Sequence, residues 1–158
     1  MTAQSNASAS GITLTELNTE TGRLALIKQL TDNGLPMVDS GAITLVVPDD
    51  LEKDAVIFTG SQKRATTANN DLNFYIGRIN VISCRWLNST FGGSATKWHL
   101  TAGGARLKLY IRQQPDYLET TDGNNWNHTY SVMMRAAAGF SGWQKTWHSL
   151  GDGAAYAS

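Results

Sequence analysis

Hydrophobic positions in this chain follow two periods, one of strands and one of helices, separated by polar, glycine-rich connections. The clearest switch lies at 42–54, AITLVVPDDLEKD. Its first six residues are apolar or β-branched without polar alternation, which predicts a strand buried on both faces. Pro48 ends the ladder because it has no N–H to donate. Asp49 with Glu52 three residues on predicts an N-cap and reach-back carboxylate, opening a helix over about 49–59 with Leu51, Ala55 and Phe58 on one face. Upstream, Thr13 and Glu16 form a similar pair, and Leu14, Leu17, Leu24, Ile27 and Leu30 predict an amphipathic helix over 14–32. Gly22 is its weak point, costing about 1 kcal/mol relative to Ala. Asn33-Gly34 provides a left-handed cap, with Pro36 just beyond.

Beyond the polar loop 60–73, RINVISCRW predicts a strand with Ile79 and Val81 on one face and Ile82, Cys84 and Trp86 on the other. A glycine- and serine-rich connection, 88–96, leads to TKWHL, with Trp98 and Leu100 inward. Gly103-Gly104 marks a turn into a half-buried strand in which Leu107, Leu109 and Ile111 alternate with Lys108, Tyr110 and Arg112. Residues 115–128 read as a polar connection. The last strand alternates Tyr130, Val132, Met134 and Ala136, and Gly139 and Gly142 bracket a bend before Trp143 and Trp147. Two or three helices mixed in order with five or six strands make the class α+β.

Length fits one domain, 12–158, behind a small, polar leader, 1–11, expected to be flexible; 151–158 reads as a frayed tail. Lys plus Arg equals Asp plus Glu, 13 each, so no global basic field exists to hold nucleic acid through counterion release. Low charge instead lets identical copies approach one another. The single cysteine, Cys84, excludes an intrachain disulfide framework and reads as a packed thiol. No segment has the length of a membrane span or the pattern of a secretion signal, so synthesis in a cytoplasm is expected.

No catalytic set emerges. His99, His128 and His148 lack partners at metal-ligand spacing. Asp122-Gly-Asn124 resembles the start of a calcium loop, but its twelfth position is Met133 rather than a bidentate Glu. The acids Asp49, Asp50, Glu52 and Asp54 suit a helix start. The expectation is a non-enzyme with no cofactor and no metal. Trp126 in a polar stretch and the aromatics near the C-terminus leave one alternative open, a β-rich carbohydrate-binding module stacking sugars on exposed tryptophans.

The order of elements carries a resemblance. A helix ending in DNGLPM, the run AITLVVPDDLEKDAVIF, then GRINVISCRWL, KWHLTAGG, RLKLYIRQQPDYLET and YSVMMRAAAGFSGWQKTW together resemble the C-terminal half of the major capsid (head) proteins of tailed bacteriophages, a fold shared with encapsulins. Gly77 and Val81 match the family's glycine-to-valine strand pattern, without its proline. The resemblance covers 12–154 and implies a fragment or reduced relative of longer subunits. It implies a mixed sheet flanked by helices: the end of a spine-type helix (12–34), an apical-type region (35–114), and returning peripheral strands and tail (115–158). It implies a structural subunit of an icosahedral capsid in the virion, assembled in the host bacterial cytoplasm. Self-association into pentamers and hexamers follows, with portal or scaffold proteins as further partners and no membrane or sequence-specific nucleic-acid partner. Candidate assembly contacts are Lys63, Arg64, Asn88, Phe91 and Trp126.

Overall fold

The computed structural model describes residues 5–38, 41–63, 71–103, 107–140 and 142–154. Among them are two α-helices, α1 (Glu16–Ile27) and α2 (Asp49–Gly60), and six strands: β1 (Ile43–Val47), β2 (Ile79–Ser83), β3 (Trp98–Ala102), β4 (Leu107–Thr121), β5 (His128–Phe140) and β6 (Thr146–Ser149). The architecture is α+β. The chain divides into two compact units, residues 1–105 with 142–158, and residues 106–141, where sequence length alone suggests one domain.

The first unit is a four-stranded mixed sheet in the order β2-β1-β3-β6. β1 runs parallel to β2, as the intervening α2 requires, while β3 is antiparallel to both β1 and β6. Register puts Leu45, Leu100 and Trp147 in one row, with Ile43, Val47, Trp98 and Ala102 beside them on the same buried face. Leu26 of α1 and Ala55 of α2 join that cluster. The opposite face is not buried: Thr44 and Val46 are half-exposed, so β1 is not the doubly covered strand its apolar run predicts. A two-layer sheet needs only one apolar face.

The helices depart from their predicted ends and faces. Thr15, not Thr13, caps α1, accepting from Asn18 N at 3.2 Å. The helix stops at Ile27; Gly34 instead serves a turn in which its N–H donates to Thr31 O at 2.8 Å. Leu14 and Ile27 of the stripe pack against the core, but Leu17, Leu24 and Leu30 do not. Thr19, Gly22 and Leu26 face it, and Leu17 and Leu24 are exposed. A Cβ on Gly22 would lie 2.7 Å from the Trp147 ring, so the missing side chain lets the helix settle on that indole. In α2, Pro48 occupies the cap position without a side-chain bond and Asp49 is the first helical residue, a place proline and acids both favour.

Of the expected flexible leader, residues 6–8 lie along β6, and 1–4 lies outside the described residues. Ala7 bridges His148 in parallel, and His148 N donates to Asn6 O at 2.9 Å. Trp98 Nε1 and Ser149 Oγ both donate to Ile12 O, at 2.9 and 2.8 Å. Of the expected frayed tail, 151–154 is tied to the same region, since Gly11 N donates to Ala154 O at 2.7 Å, and 155–158 lies outside the described residues.

The second unit is a two-stranded antiparallel ribbon, β4 with β5. The segment 115–128, expected to be a connection, is mostly strand: β4 continues to Thr121 through two irregularities, between Ile111 and Gln113 and between Gln113 and Asp116. Pro115 sits inside the second, where a bulge tolerates its missing N–H. No bend interrupts β5 at Gly139. Leu109 and Ile111, predicted to be half-buried, are exposed.

Candidate assembly surface

Parallel β1 and β2 end together, and Cys84 N donates to Val47 O at 2.8 Å to close the pair. The chain then makes two successive 3-10 turns, Arg85–Leu87 and Ser89–Phe91, hinged at Asn88. Asn88 Oδ1 accepts from Thr90 N at 3.0 Å and so caps the second turn. Its Nδ2 donates to Asp50 Oδ2 at 3.0 Å, while Arg85 Nε lies 3.5 Å from Asp49 Oδ2. The acids at the start of α2 thus fasten this loop as well as matching the helix dipole. Gly93 closes it: a Cβ there would fall 2.0 Å from Leu87 O.

This pinned loop displays two aromatics. Trp86 and Phe91 pack at a centroid distance of 5.2 Å and an interplanar angle of 58°, yet remain 75% and 52% exposed. Ile82, at the end of β2, is exposed as well. Trp86 was expected on a strand face; the strand has ended and the 3-10 turn carries it outward. Such a rigid aromatic pair, held by polar bonds and open to solvent, has the make-up of an interface anchor.

The other predicted contacts lie elsewhere. Lys63 is exposed and bridges Leu72 in the loop after α2. Arg64 lies outside the described residues. Trp126, with φ +53° and 80% exposure, occupies the turn of the β4–β5 ribbon, where its N–H donates to Asp122 O at 2.9 Å. The structure therefore brings Asn88 and Phe91 together and adds Trp86, which the period-two pattern places on a strand face with Ile82 and Cys84.

The five tryptophans do not form a sugar platform. Trp98 and Trp147 pack at 5.0 Å inside the core, Trp86 pairs with Phe91, Trp126 belongs to the ribbon, and Trp143 is in a 3-10 turn. Among the described residues, no three His, Cys, Asp or Glu side chains are grouped to hold a metal ion. No helix described is long and apolar enough to cross a membrane.

Two sets of titratable groups are perturbed. His99 and His148 face each other across β3 and β6, ring centroids 6.0 Å apart. Burial lowers both pKa values, and His148 and Lys97 lower His99 further. On α1, the Arg23 guanidinium binds both Glu20 oxygens, at 2.6 and 2.8 Å, and lowers the Glu20 pKa. Tyr75, donating to Glu20 at 3.1 Å, is pushed up to about 12 chiefly by burial. Both sets sit within the sheet unit.

In comparison with solved structures, the chain is similar to a chain from the capsid of an empty GTA particle computed with C5 symmetry. That likeness has 10% identity and a TM-score of 0.48, and covers 90% of this chain and 47% of the other. The chain thus spans about half the length of that relative. No curated protein matches it in sequence. Residues 1–147 match the family model described as phage capsid protein, and the chain belongs to that family.

Proposed function

We propose that this chain works as a structural subunit, tiling with copies of itself into the shell of a phage head. Family membership over residues 1–147 is the observation that carries this reading. The fixed Trp86–Phe91 pair and the exposed apolar ribbon support it, because each offers surface that a second copy would cover. The work is geometric rather than catalytic. Copies would close into pentamers and hexamers through two different patches, meeting head to tail around a ring. Portal or scaffold proteins would be further partners, with assembly in the host bacterial cytoplasm and residence in the virion.

Within this reading, Asn88 positions the aromatic loop, Phe91 and Trp86 enter a neighbour, and Lys63, Arg64 and Trp126 line secondary contacts. The correspondence of 12–34, 35–114 and 115–158 to spine-type, apical-type and peripheral regions belongs to the same proposal. The carbohydrate alternative is not favoured, since the tryptophans are divided between core, loop and ribbon. Sedimentation and negative-stain imaging of the chain over a concentration series test the proposal. Rings, shells or reversible association are expected. A strict monomer at every concentration, in the Trp86→Ala/Phe91→Ala variant and the parent alike, would refute it.

A further inference from the structure

The ribbon's two faces differ. β5 pairs without interruption of its own alternation, so Tyr130, Val132, Met134, Ala136 and Ala138 share one face. Their partners on β4 are Leu109, Ile111 and Tyr117, all exposed, and, opposite Tyr130, Glu119, which holds His128 at 2.8 Å at the turn end of the same face. The opposite face is mixed: Lys108, Gln113, Asp116, Ser131 and Arg135 stand among Tyr110, Leu118 and Met133. One side is therefore the more apolar, a stripe about 30 Å long at ~3.3 Å per residue over 130–138. A two-stranded ribbon is at best marginally stable alone and needs a cover on such a face.

Charge along the ribbon is sorted by end. Lys108, Arg112 and Arg135 lie in the half nearest the strand ends Leu107 and Phe140, which has no acid. Asp116, Glu119 and Asp122 lie in the half nearest the turn, which has no Lys or Arg. A second copy laid antiparallel brings each basic half beside an acidic half; a parallel copy sets like charges together. We propose that the apolar face of this ribbon docks on the same face of a second copy, antiparallel, across a two-fold axis near Met134. This rests on the tiling role proposed above and names one of its contacts.

The contact is isologous, so residues equidistant from the axis meet: Met134 with the partner's Met134, and Tyr130 with the partner's Ala138. Most of the charges sit off the apolar face, so they set direction over about a Debye length rather than forming tight pairs. The area is roughly 300 Å² per copy for a face about 30 Å by 10 Å, the size of a weak contact rather than of a stable interface. Such a contact forms at high local concentration, as among copies held in a shell.

Adjacent methionines give the test, because Met133 and Met134 are similarly exposed, 52% and 49%, but point to opposite faces. In full chains with Cys84→Ser, Met134→Cys is expected to form intermolecular disulfides at least tenfold faster than Met133→Cys. Mixed Tyr130→Cys and Ala138→Cys chains are expected to cross-link to each other in preference to themselves. Equal rates at 133 and 134, or preferential Tyr130→Cys self-linking, overturn the inference. Independently of cysteines, Lys108→Glu/Arg135→Glu chains should associate better with Asp116→Lys/Glu119→Lys chains than either does with itself; no such preference also overturns it. Negative-stain images of the same samples separate the two ideas. Particles without the Met134 bias refute ribbon docking and leave the tiling role standing, whereas Met134 cross-linking without any particle or ring supports docking and counts against tiling.

Discussion

The sheet unit and the β4–β5 ribbon use similar residues to opposite ends. Both contain strands rich in Val, Leu, Ile and aromatics. In the first, Leu45, Trp98, Leu100 and Trp147 are buried within a four-stranded sheet covered by helices. In the second, Tyr117, Tyr130, Val132 and Met134 are all exposed. Composition therefore does not separate core from surface here; the number of layers does. A sheet with helices closes over its own apolar face, while a two-stranded ribbon has no second layer of its own. The first unit buries its own apolar face, and the second keeps apolar surface that, on the docking proposed above, another copy would cover.

The sharpest way to break this comparison is to truncate one apolar residue in each unit. Leu100→Ala removes a fully buried side chain, and about 3–4 kcal/mol of stability should be lost in denaturant unfolding. Val132→Ala should cost under ~0.5 kcal/mol in the dissociated chain while weakening association in sedimentation. Equal losses of chain stability would show that the ribbon belongs to the same folded core.

Close approach in the sheet unit gives the next effect. Gly22→Val places its side chain against Trp147 and Leu100, where the added Cβ alone falls 2.7 Å from the indole and 3.0 Å from Leu100 Cδ1. About 1–3 kcal/mol should be lost, visible as a lower thermal midpoint. A glycine in the ribbon, Gly139, has nothing within 4 Å of a built Cβ, and Gly139→Ala should leave that midpoint within about a degree. The aromatic loop should be intermediate in kind. Trp86→Ala should cost less than ~1 kcal/mol of stability but reduce the assembled fraction severalfold, because its ring is open to solvent in the single chain.

Period alone made some of this legible. The helix after Pro48 and the inward Trp98 and Leu100 could be read directly, because local pattern and tertiary burial agree there. The α1 stripe was right at Leu14 and Ile27 but misled at Leu17 and Leu24, because Gly22 and Leu26 lie on the face that approaches the core and a small residue meets Trp147. The ribbon's length was hidden by Pro115 and by irregularities that shift strand register, so alternation seemed to stop where the strand merely bulged. In the site, Asn88 and Phe91 stood out in a polar connection, but Trp86 was masked by the apolar strand before it. The available signal was Asn88 followed by Gly92-Gly93: a side-chain cap and a tight closure mark an ordered loop, and the aromatics flanking the cap are then candidates for display.

The smallest effect tests whether acid acts on the sheet unit through its histidine pair. The folded state holds His99 and His148 below their ordinary pKa, mainly by burial. Below about pH 6.5 an unfolded chain protonates these rings more readily than the folded one, so the unfolded state binds more protons and stability falls with falling pH. The contribution is complete above that pH and is lost as pH drops toward the lowered folded values. The thermal midpoint should therefore decline by a few degrees between pH 7 and pH 5 beyond the change due to carboxylates. His99→Gln keeps a polar group on the half-open face and removes one of the two protonations. It should flatten that part of the profile without altering the midpoint's dependence on chain concentration. A profile unchanged by His99→Gln would mean that the β3–β6 pair carries no acid sensitivity, and that acidification acts through groups outside the sheet.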